Sequence, residues 1–413
     1  MQTQLLIHYL PQAVIGLGLA VSAWYYCMTY VGARLLFRKP ASSMPGESEL
    51  PGITVLKPLK GLEADLLQNL ATFCRQDYPS FQVVFGVADA DDPAIPVVRQ
   101  LQAEFPHVRI DLVIDGRIHG TNYKVSNLHN MDKASLHDVI VIADSDIRVA
   151  PDYLRRLAQE LADPSVGVVT CLYRAVNTGG LPTLLESLFI NVDFGPSILV
   201  ARLVEKTRYA FGATMALRRK VLNEIGGFLS VGNCLADDFF IGNRAEARGY
   251  RIAISNMVVE TVLAVGSWKG LLDHQLRWAR TYRSVRRGGY FALILTHGTL
   301  WALLNLLWNG FGPWSWVVAG ALLTLRLATA KVVAGRYLGA PLTWPETFAV
   351  LLKDVLGSSV WFLAFLGDAV QWSGHAFRVQ SDGSMVRIDS GVAAAQPAYG
   401  RTAKQPDEST ASA

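Results

Sequence analysis

The sequence has few cysteines and few charged residues for its length. Its 413 residues include four cysteines, Cys27, Cys74, Cys171 and Cys234, and none of them forms a Cys-x-x-Cys pair. Zinc knuckles and disulfide frameworks are therefore excluded, and we predict buried free thiols in a reducing compartment. Only 17% of the residues are charged and 51% are hydrophobic, which excludes a disordered chain and is too apolar for an ordinary soluble enzyme.

Tryptophan is absent from a long central part of the chain. All ten tryptophans are either Trp24 or lie from Trp268 to Trp372, so water-facing and lipid-facing parts are separate along the sequence.

A strong positive charge is also missing. The formal net charge is +4, and without a basic repeat or an aromatic RNA-binding motif it does not indicate a nucleic-acid partner.

A membrane anchor is predicted near the N-terminus. Residues 13–33 carry no charge and are followed by Arg34, Arg38 and Lys39, and a stretch of this length can cross a hydrocarbon core of about 30 Å. No Lys or Arg precedes the stretch and no small-residue cleavage site follows it, so an anchor is favoured over a cleaved signal peptide. The positive charges after it predict that the next domain is cytoplasmic, at the inner membrane.

Further membrane segments are predicted in the C-terminal part. Residues 288–325 contain no Lys, Arg, Asp or Glu, and this length predicts two helices joined by a tight turn at residues 309–313. Residues 345–372 include Lys353 and Asp354, so they form either a third crossing or a re-entrant or surface helix. Residues 380–413 lack periodicity, which predicts a disordered tail.

The part between these membrane regions alternates between strand and helix patterns. Short apolar runs predict strands at residues 53–56, 82–87, 108–114, 139–143 and 166–172, and helical spacing predicts helices at residues 64–75, 94–105 and 152–161. Such alternation predicts an α/β fold with a mostly parallel, Rossmann-like sheet covered on both faces. The chain is thus divided into an anchor, an α/β domain, a membrane region and a tail, at residues 1–39, 40–287, 288–379 and 380–413.

Two predicted strands end in acidic clusters. Asp89, Asp91 and Asp92 follow one strand, and Asp144 and Asp146 follow another. Both clusters are expected to face one crevice, because ligands of such sheets bind beyond the carboxyl ends of the strands. An Asp-x-Asp sequence suits Mg²⁺ or Mn²⁺, since carboxylates bind hard cations and leave coordination positions for nucleotide phosphates. The alternative is that these acids only form turns or cap the next helix.

Two further polar residues belong to the same predicted crevice. Lys124 lies among small polar residues between the two acidic strand ends, which suits a phosphate-neutralising cation, with a solvated surface lysine as the alternative. Asp238 follows Asp237 at the start of a predicted helix. It is either a helix cap or a general base at the rim of a nucleotide site.

A basic amphipathic segment, residues 267–287, precedes the C-terminal membrane region. Apolar residues recur in it at helical spacing beside several arginines, which predicts a helix along the inner membrane surface. This helix contains His274, Arg277 and Trp278, for which lipid anchoring alone is the alternative role.

An apolar stripe is predicted in residues 181–203. It consists of Leu184, Leu185, Leu188, Phe189 and Val192. The stripe is either domain core or the lipid-facing side of a helix along which a lipid reaches the crevice, and helical spacing alone leaves both interpretations open.

The order of these residues resembles that in the inverting, membrane-bound glycosyltransferases with a GT-A fold. Residues 88–95 and 124–128 are similar to the ceramide glucosyltransferase family, and the resemblance covers nearly the whole chain except the tail. Residues 144–149 and 167–173 are similar to a bacterial branch of that family, which is associated with hopanoid biosynthesis and glycosylates a polyol side chain on a triterpenoid lipid. The resemblance implies a GT-A domain between N-terminal and C-terminal transmembrane helices.

The resemblance also implies roles for individual residues. The matches to its donor and metal positions are Asp89 and Asp92 beside the nucleotide, Lys124 near the phosphates, and Asp144 and Asp146 as the metal-binding pair. The matches to its catalytic positions are Asp238 as the base and Arg277 with Trp278 as the closing motif beside the diphosphate and the acceptor. That motif usually begins with Gln or Arg, whereas this sequence has His274 there and Gln275 one position later, so the role of His274 stays open.

These features predict an enzyme that transfers one sugar from a UDP-sugar to a hydroxyl of a membrane lipid, with inversion. The sugar is glucose or N-acetylglucosamine, and the lipid is a hopanoid polyol or a ceramide. A processive polysaccharide synthase has the same motifs, but the few predicted transmembrane helices argue against a polymer channel. A transporter or scaffold that binds a nucleotide sugar is the non-enzymatic alternative, and it does not explain the ordered set of acids.

Overall fold

An eight-stranded sheet forms the centre of the domain between the membrane segments. The computed structural model describes residues 2–38, 50–176, 179–263, 265–372 and 374–388. The strands are β1 (Ile53–Pro58), β2 (Phe81–Val87), β3 (Arg109–Ile114), β4 (Val139–Ile142), β5 (Ile147–Arg148), β6 (Val166–Ala175), β7 (Met215–Arg218) and β8 (Arg251–Thr261). Their order across the sheet is β3-β2-β1-β4-β7-β6-β8-β5.

Most neighbouring strands are parallel. β1 pairs in parallel with β2 and β4, β2 with β3, and β6 with β8, whereas β7 is antiparallel to β4 and β6, and β5 to β8. The predicted mostly parallel α/β sheet is therefore confirmed. The sequence does not predict β5, β7 or β8, because β5 and β7 have only two and four residues and Ser255 and Asn256 interrupt β8 where its pairing register shifts.

Helices cover both faces of this sheet. Among the helices that pack on it are α2 (Leu66–Cys74), α3 (Ala94–Glu104), α4 (Tyr123–Asp132), α5 (Tyr153–Leu161), α8 (Arg219–Glu224) and α9 (Asp237–Ala247). α2, α3 and α5 share one apolar cluster with the sheet, and α4, α8 and α9 share another. β1, β2 and β4 are buried along nearly their whole length, which explains their continuous apolar sequences.

Several helices are long and apolar enough to cross a membrane. Among the described residues, four such segments are Tyr9–Phe37, Leu181–Val204, Pro313–Tyr337 and Trp344–Leu366. The first belongs to α1 (Gln2–Phe37) and agrees with the predicted anchor. The last contains α14 (Trp344–Leu363) and agrees with a third C-terminal crossing. These helices fit a membrane protein.

The region predicted as two helices contains three. α11 (Arg287–Ala292) and the turn after it meet α12 (Gly298–Trp308) at 56°, and α13 (Pro313–Val332) follows the predicted tight turn. The break frees backbone carbonyls, which accept hydrogen bonds from side chains instead. Ser22 of α1 donates to the carbonyl of Leu295 at 2.8 Å, and the indole of Trp301 donates to that of Ile294 at 2.8 Å. Such replacement partners make a broken helix tolerable at membrane depth.

The apolar stripe of residues 181–203 is internal packing. It spans α6 (Leu181–Phe189), a π-helical turn (Ile190–Phe194) and α7 (Gly195–Val204). Leu185, Leu188 and Val192 are buried against residues of α13, α14 and the helix α10 (Trp268–Val285). The stripe therefore faces the protein interior rather than lipid, although its partners include membrane helices and not only the α/β domain.

A small antiparallel sheet follows α14. Its strands are β9 (Ala369–Trp372), β10 (His375–Val379) and β11 (Met385–Arg387). The sequence predicts a membrane segment up to residue 372 and disorder from residue 380, whereas this sheet packs on the α/β domain. The amide of Leu235 donates to the Gly383 carbonyl at 3.2 Å, and the amide of Met385 donates to the Asn233 carbonyl at 2.8 Å. Residues 389–413 of the predicted tail lie outside the described residues.

The four cysteines are free thiols, as predicted. Cys74 and Cys171 are buried, but Cys234 is half-buried and Cys27 is exposed on α1. The prediction of burial is wrong for Cys27 because this residue lies on the outer side of a candidate membrane helix.

Candidate active site

A large crevice opens at the carboxyl ends of β1, β2 and β4. Its volume is about 2170 Å³, and it continues from these strand ends to the membrane helices. The residues that line it include Asp89, Lys124, Asp144 and Asp238 at the sheet, and Tyr26, Lys353 and Trp361 in the membrane helices. The two acidic strand ends therefore face the same crevice.

Lys124 bridges the second acidic strand end and the start of α9. Its Nζ lies 2.7 Å from Asp144 Oδ1 and 3.3 Å from Asp237 Oδ2. Burial opposes the charge of Lys124, but Asp144 and Asp237 outweigh this effect and raise the pKa of the lysine. Lys124 is thus a fixed positive charge in the crevice rather than a solvated surface lysine.

Asp146 lies in a more enclosed position than Asp144. Its Oδ2 accepts a hydrogen bond from Thr261 Oγ1 at 2.7 Å, and burial, followed by repulsion from Asp144 and Glu63, raises its pKa to about 7. Lys57 is fully buried beside this pair, where it donates to the backbone carbonyl of Asp144. Burial lowers the pKa of Lys57.

Asp238 lies in the first turn of α9. The Gly212 amide donates to its Oδ2 at 2.9 Å, and the Phe239 amide donates to its Oδ1 at 2.7 Å. Burial, followed by repulsion from Asp237, raises the pKa of Asp238 to about 6. Ala236 at the N-cap position of α9 has no capping side chain, so Asp238 satisfies one first-turn amide of the helix, and its other oxygen bonds to Gly212 outside the helix.

The first acidic strand end contains two differently placed acids. Asp92 is buried and accepts backbone hydrogen bonds from Gly61 at 3.0 and 3.1 Å and from Ala94 at 2.9 Å. It thereby fixes the loop at Gly61, whose φ of 71° favours glycine, and the start of α3. Asp89 is exposed and lines the crevice, so it has the more accessible carboxylate.

The helix α10 brings Arg277 and Trp278 to the crevice. Both residues line it, and burial lowers the pKa of Arg277 while Glu186 and Asp144 act in the opposite direction. The ring centroid of Trp278 lies 5.0 Å from that of His274 and 6.1 Å from that of Phe194. α10 is therefore a basic helix that also forms one wall of the crevice.

His274 and Gln275 share one buried partner. His274 Nδ1 is hydrogen bonded to Glu186 Oε1, and Gln275 Nε2 donates to Glu186 Oε2 at 2.9 Å. The side chain of Glu186 is completely buried in α6. Both residues at the start of the closing motif thus tie α10 to α6, and His274 also lines the crevice.

Sequence reasoning missed Lys57, Glu63 and Glu186. Each is a charged residue in or beside an apolar segment: Lys57 ends the run Ile-Thr-Val-Leu, and Glu186 interrupts the apolar stripe. A buried charge requires a partner. A charged residue in an apolar run therefore predicts a buried polar contact, but the sequence does not reveal which residue is the partner.

Asp144 and Asp146 fit a divalent cation that is shared with a nucleotide. Within the described ranges, no group of three His, Cys, Asp or Glu side chains that could hold a metal is found. Mg²⁺ requires only one or two carboxylates when substrate phosphates and waters supply the other ligands. The Asp144 side chain is 40% exposed toward the crevice, which leaves it accessible to such an ion.

The fold is similar to that of a solved glycosyltransferase. A mannosyltransferase from Pyrobaculum calidifontis, in complex with GDP-Man and Mn²⁺, matches with a TM-score of 0.50 and 22% identity, over 85% of this chain and 97% of that chain. This similarity concerns the fold, which is the GT-A fold.

Two curated relatives come from Caenorhabditis elegans. Ceramide glucosyltransferase 3 is 26% identical over 235 residues, which are 57% of this chain and 51% of the relative. Ceramide glucosyltransferase 1 is 24% identical over 347 residues, which are 81% of this chain and 73% of the relative. The chain thus spans about half the length of the first relative.

The chain combines a GT-A sheet, an acidic crevice at the strand ends and helices that fit a membrane protein. The model of glycosyl transferase family 21 matches residues 14–385. The chain belongs to glycosyl transferase family 21, and the predicted resemblance to the ceramide glucosyltransferase family is confirmed.

Proposed function

We propose that this protein transfers a single sugar from a UDP-sugar to a hydroxyl group of a membrane lipid, with inversion at the anomeric carbon. The observation that carries the proposal is the continuity of the cavity, which joins Lys124, Asp144 and Asp238 to the membrane helices. A lipid hydroxyl can approach the sheet along this path while its acyl or polycyclic part stays among apolar residues. Leaving the bilayer would cost about 0.8 kcal/mol for each methylene exposed to water.

Donor binding is assigned to the sheet end of the crevice. Lys124 supplies a fixed positive charge for the diphosphate, and Asp89 and Asp92 lie at the strand end proposed to contact the nucleotide. Asp144 and Asp146 would hold a divalent cation, Mg²⁺ or Mn²⁺. When bound, such an ion stabilises negative charge on the leaving diphosphate.

Deprotonation of the acceptor is assigned to Asp238. Its pKa of about 6 is close to neutral pH, which suits a general base. The two backbone amides that bond to its oxygens fix the orientation of the carboxylate. Inversion requires the acceptor to attack on the face opposite the leaving group, so Asp238 and the phosphate-binding residues act on opposite sides of the sugar.

Exclusion of water is assigned to α10. Arg277 and Trp278 line the crevice, and the buried guanidinium of Arg277 can neutralise the diphosphate in a dry site. His274 lies beside Trp278, and Glu186 fixes its imidazole, so we assign His274 to the acceptor side of the same wall. Water must be kept out because it would compete with the lipid as acceptor.

The membrane is proposed to be the bacterial inner membrane, with the crevice on its cytoplasmic side. Arg34 in the last turn of α1, Lys331 in the last turn of α13 and Arg336 just after α13 are positive charges at helix ends, which favours the cytoplasmic side for those ends. The proposed acceptors are a hopanoid polyol or a ceramide, and the proposed sugars are glucose or N-acetylglucosamine.

The direct test uses purified full-length protein, labelled UDP-glucose or UDP-N-acetylglucosamine, Mg²⁺, and lipid acceptors in vesicles. The expected product is a lipid that carries one sugar. NMR should show that the anomeric configuration of this sugar is inverted relative to the UDP-sugar donor. A ladder of longer products would instead identify a processive synthase. Donor binding with neither transfer nor hydrolysis would identify a transporter or scaffold.

A further inference from the structure

Four charged side chains meet at the membrane end of the cavity. Asp193 lies in the π-helical turn, Arg326 in α13, and Lys353 and Asp354 in α14. Arg326 Nη2 lies 2.7 Å from Asp193 Oδ1 and 2.8 Å from Asp354 Oδ1. Lys353 contacts Asp193, and its Nζ lies 2.6 Å from Asp354 Oδ1. We call these four residues the charged cluster, and all of them line the cavity.

The members of the charged cluster differ in their access to the cavity. The exposed fractions are 5% for Arg326, 1% for Lys353 and 9% for Asp354, but 41% for the Asp193 side chain. Burying charges among apolar helices is unfavourable unless each charge has a partner, and the two buried cations are balanced by Asp354 together with Asp193. Asp193 is the one member of the charged cluster whose side chain is substantially exposed, and it lines the cavity.

The backbone around Asp193 links the charged cluster to the proposed reaction site. A π-helical turn is rare and occurs frequently at functional sites. Phe194, the next residue of this turn, has its ring centroid 5.0 Å from that of Phe211 and 6.1 Å from that of Trp278. The turn that carries Asp193 therefore packs directly on the closing helix and on the residue before Gly212, which bonds to Asp238.

The charges of the cluster select for one kind of ligand. Two cations and two carboxylates give a formal sum of zero, and the Asp193 carboxylate is the member most exposed to the cavity. A carboxylate accepts hydrogen bonds from hydroxyl or amide groups, and it repels a phosphate at the same position. Desolvated like charges are an effective means of rejecting a wrong ligand.

We propose that Asp193 binds the hydroxyl or amide groups of an uncharged lipid headgroup and rejects anionic phospholipid headgroups. The inference rests on the proposed function, because it assigns a headgroup subsite to the proposed acceptor. Arg326 and Lys353 hold the Asp193 carboxylate from behind, while the headgroup contacts its exposed face. In a membrane that also contains anionic phospholipids, this subsite therefore selects an uncharged, hydroxylated lipid as the acceptor.

Direct binding tests this inference without sugar transfer. Purified full-length protein in detergent micelles is equilibrated with tritiated ceramide or with tritiated phosphatidic acid, and retained lipid is counted. We expect the wild type to bind ceramide and not phosphatidic acid. Asp193→Asn removes the charge but keeps the shape of the side chain, so we expect at least a tenfold loss of ceramide affinity and a gain of phosphatidic acid binding.

Thr299→Ala is the matched control. Thr299 donates to Asp354 at 2.6 Å behind the charged cluster, so its loss perturbs the network without removing the exposed carboxylate. Thr299→Ala is expected to leave both lipid affinities within twofold of the wild type. Preference of the wild type for phosphatidic acid, binding of neither lipid, or equal effects of the two substitutions would each overturn the inference. Correct lipid selectivity without any sugar transfer would instead count against the proposed function alone.

Discussion

Asp144 and Asp238 are both hydrogen bonded to the backbone of Gly212. The Asp144 amide donates to the Gly212 carbonyl at 3.3 Å, and the Gly212 amide donates to Asp238 Oδ2 at 2.9 Å. The proposed metal-binding acid and the proposed base are therefore held in a fixed relation by one residue. A Cβ atom at Gly212 would lie only 2.6 Å from Asp144 Oδ2, so any larger residue there would push the Asp144 carboxylate aside.

Gly212→Ala is expected to displace both acids and to lower kcat/KM by about 10²-fold, because small misplacements of reacting groups have effects of this order. A transfer assay measures the loss, and a melting curve checks the fold. Gly320→Ala is the control, since a Cβ there would meet nothing within 4 Å. Wild-type kcat/KM for Gly212→Ala would show that the shared backbone contact does not position the acids.

Activity is expected to fall at acidic pH because Asp238 must be unprotonated to act as the base. Its pKa is raised to about 6, so kcat/KM should decrease about tenfold per pH unit below pH 6 and level off above it. Asp238→Asn should lower turnover by about 10² to 10⁴ and abolish this dependence, with donor affinity retained. The measurement is a pH profile at saturating Mg²⁺. A profile of the same shape in the variant would assign the titration to another group.

Asp144→Ala or Asp146→Ala is expected to weaken nucleotide and metal binding together, because hard cations depend on carboxylate oxygens. Isothermal titration with UDP in the presence and absence of Mg²⁺ measures the effect. A chelator should silence the wild type, and added Mg²⁺ or Mn²⁺ should restore activity. Full activity in excess chelator would contradict the assignment of the metal-binding pair.

Glu186→Gln is expected to destabilise the contact between α6 and α10. Glu186 bonds to both His274 and Gln275, and a glutamine provides one carbonyl oxygen in place of two carboxylate oxygens. One of the two partners is then left unsatisfied, which costs about 1–3 kcal/mol. Melting temperatures of Glu186→Gln, His274→Ala and the double variant form the test. Strictly additive shifts would show that Glu186 and His274 are not coupled.

Leu188→Ser is expected to destabilise the protein instead of altering only lipid affinity. Leu188 is fully buried in the cluster that joins α6 to the membrane helices, and loss of a buried leucine costs about 2–5 kcal/mol. Val204→Ser is the control on α7, since Val204 is 61% exposed. A normal melting temperature combined with a raised KM for the acceptor lipid would restore the lipid-facing interpretation of the stripe.

The α/β domain could be predicted from sequence where local pattern and burial agree. β1, β2 and β4 are covered on both faces, so their apolar runs are continuous and mark their carboxyl ends. The acids that follow them lie where the ends of parallel strands require. Lys124 and Asp238 were predicted from sequence to lie in this crevice, and both line it, while their chemical roles stay predictions.

Other features depend on contacts between distant parts of the chain. The partnership of Glu186 with His274 joins residues 88 positions apart, and helical spacing carries no information about it. The C-terminal sheet was missed because β11 is held by the Asn233 loop and β9 by the contact between Trp372 and Tyr123. A short polar strand without such partners resembles a disordered segment in sequence.

The pairing of the C-terminal sheet with the Asn233 loop has a consequence for biogenesis. The ribosome completes Asp237 and Asp238 long before Gly383 and Met385, and the C-terminal membrane helices are made in between. His375 of β10 and Arg387 of β11 line the crevice, so this part of its lining can be added only after those helices have been made. A nascent chain therefore has its membrane helices and its acidic residues before the crevice is complete. A chain that ends at Leu366 is expected to reach the membrane but to show no transfer in the assay.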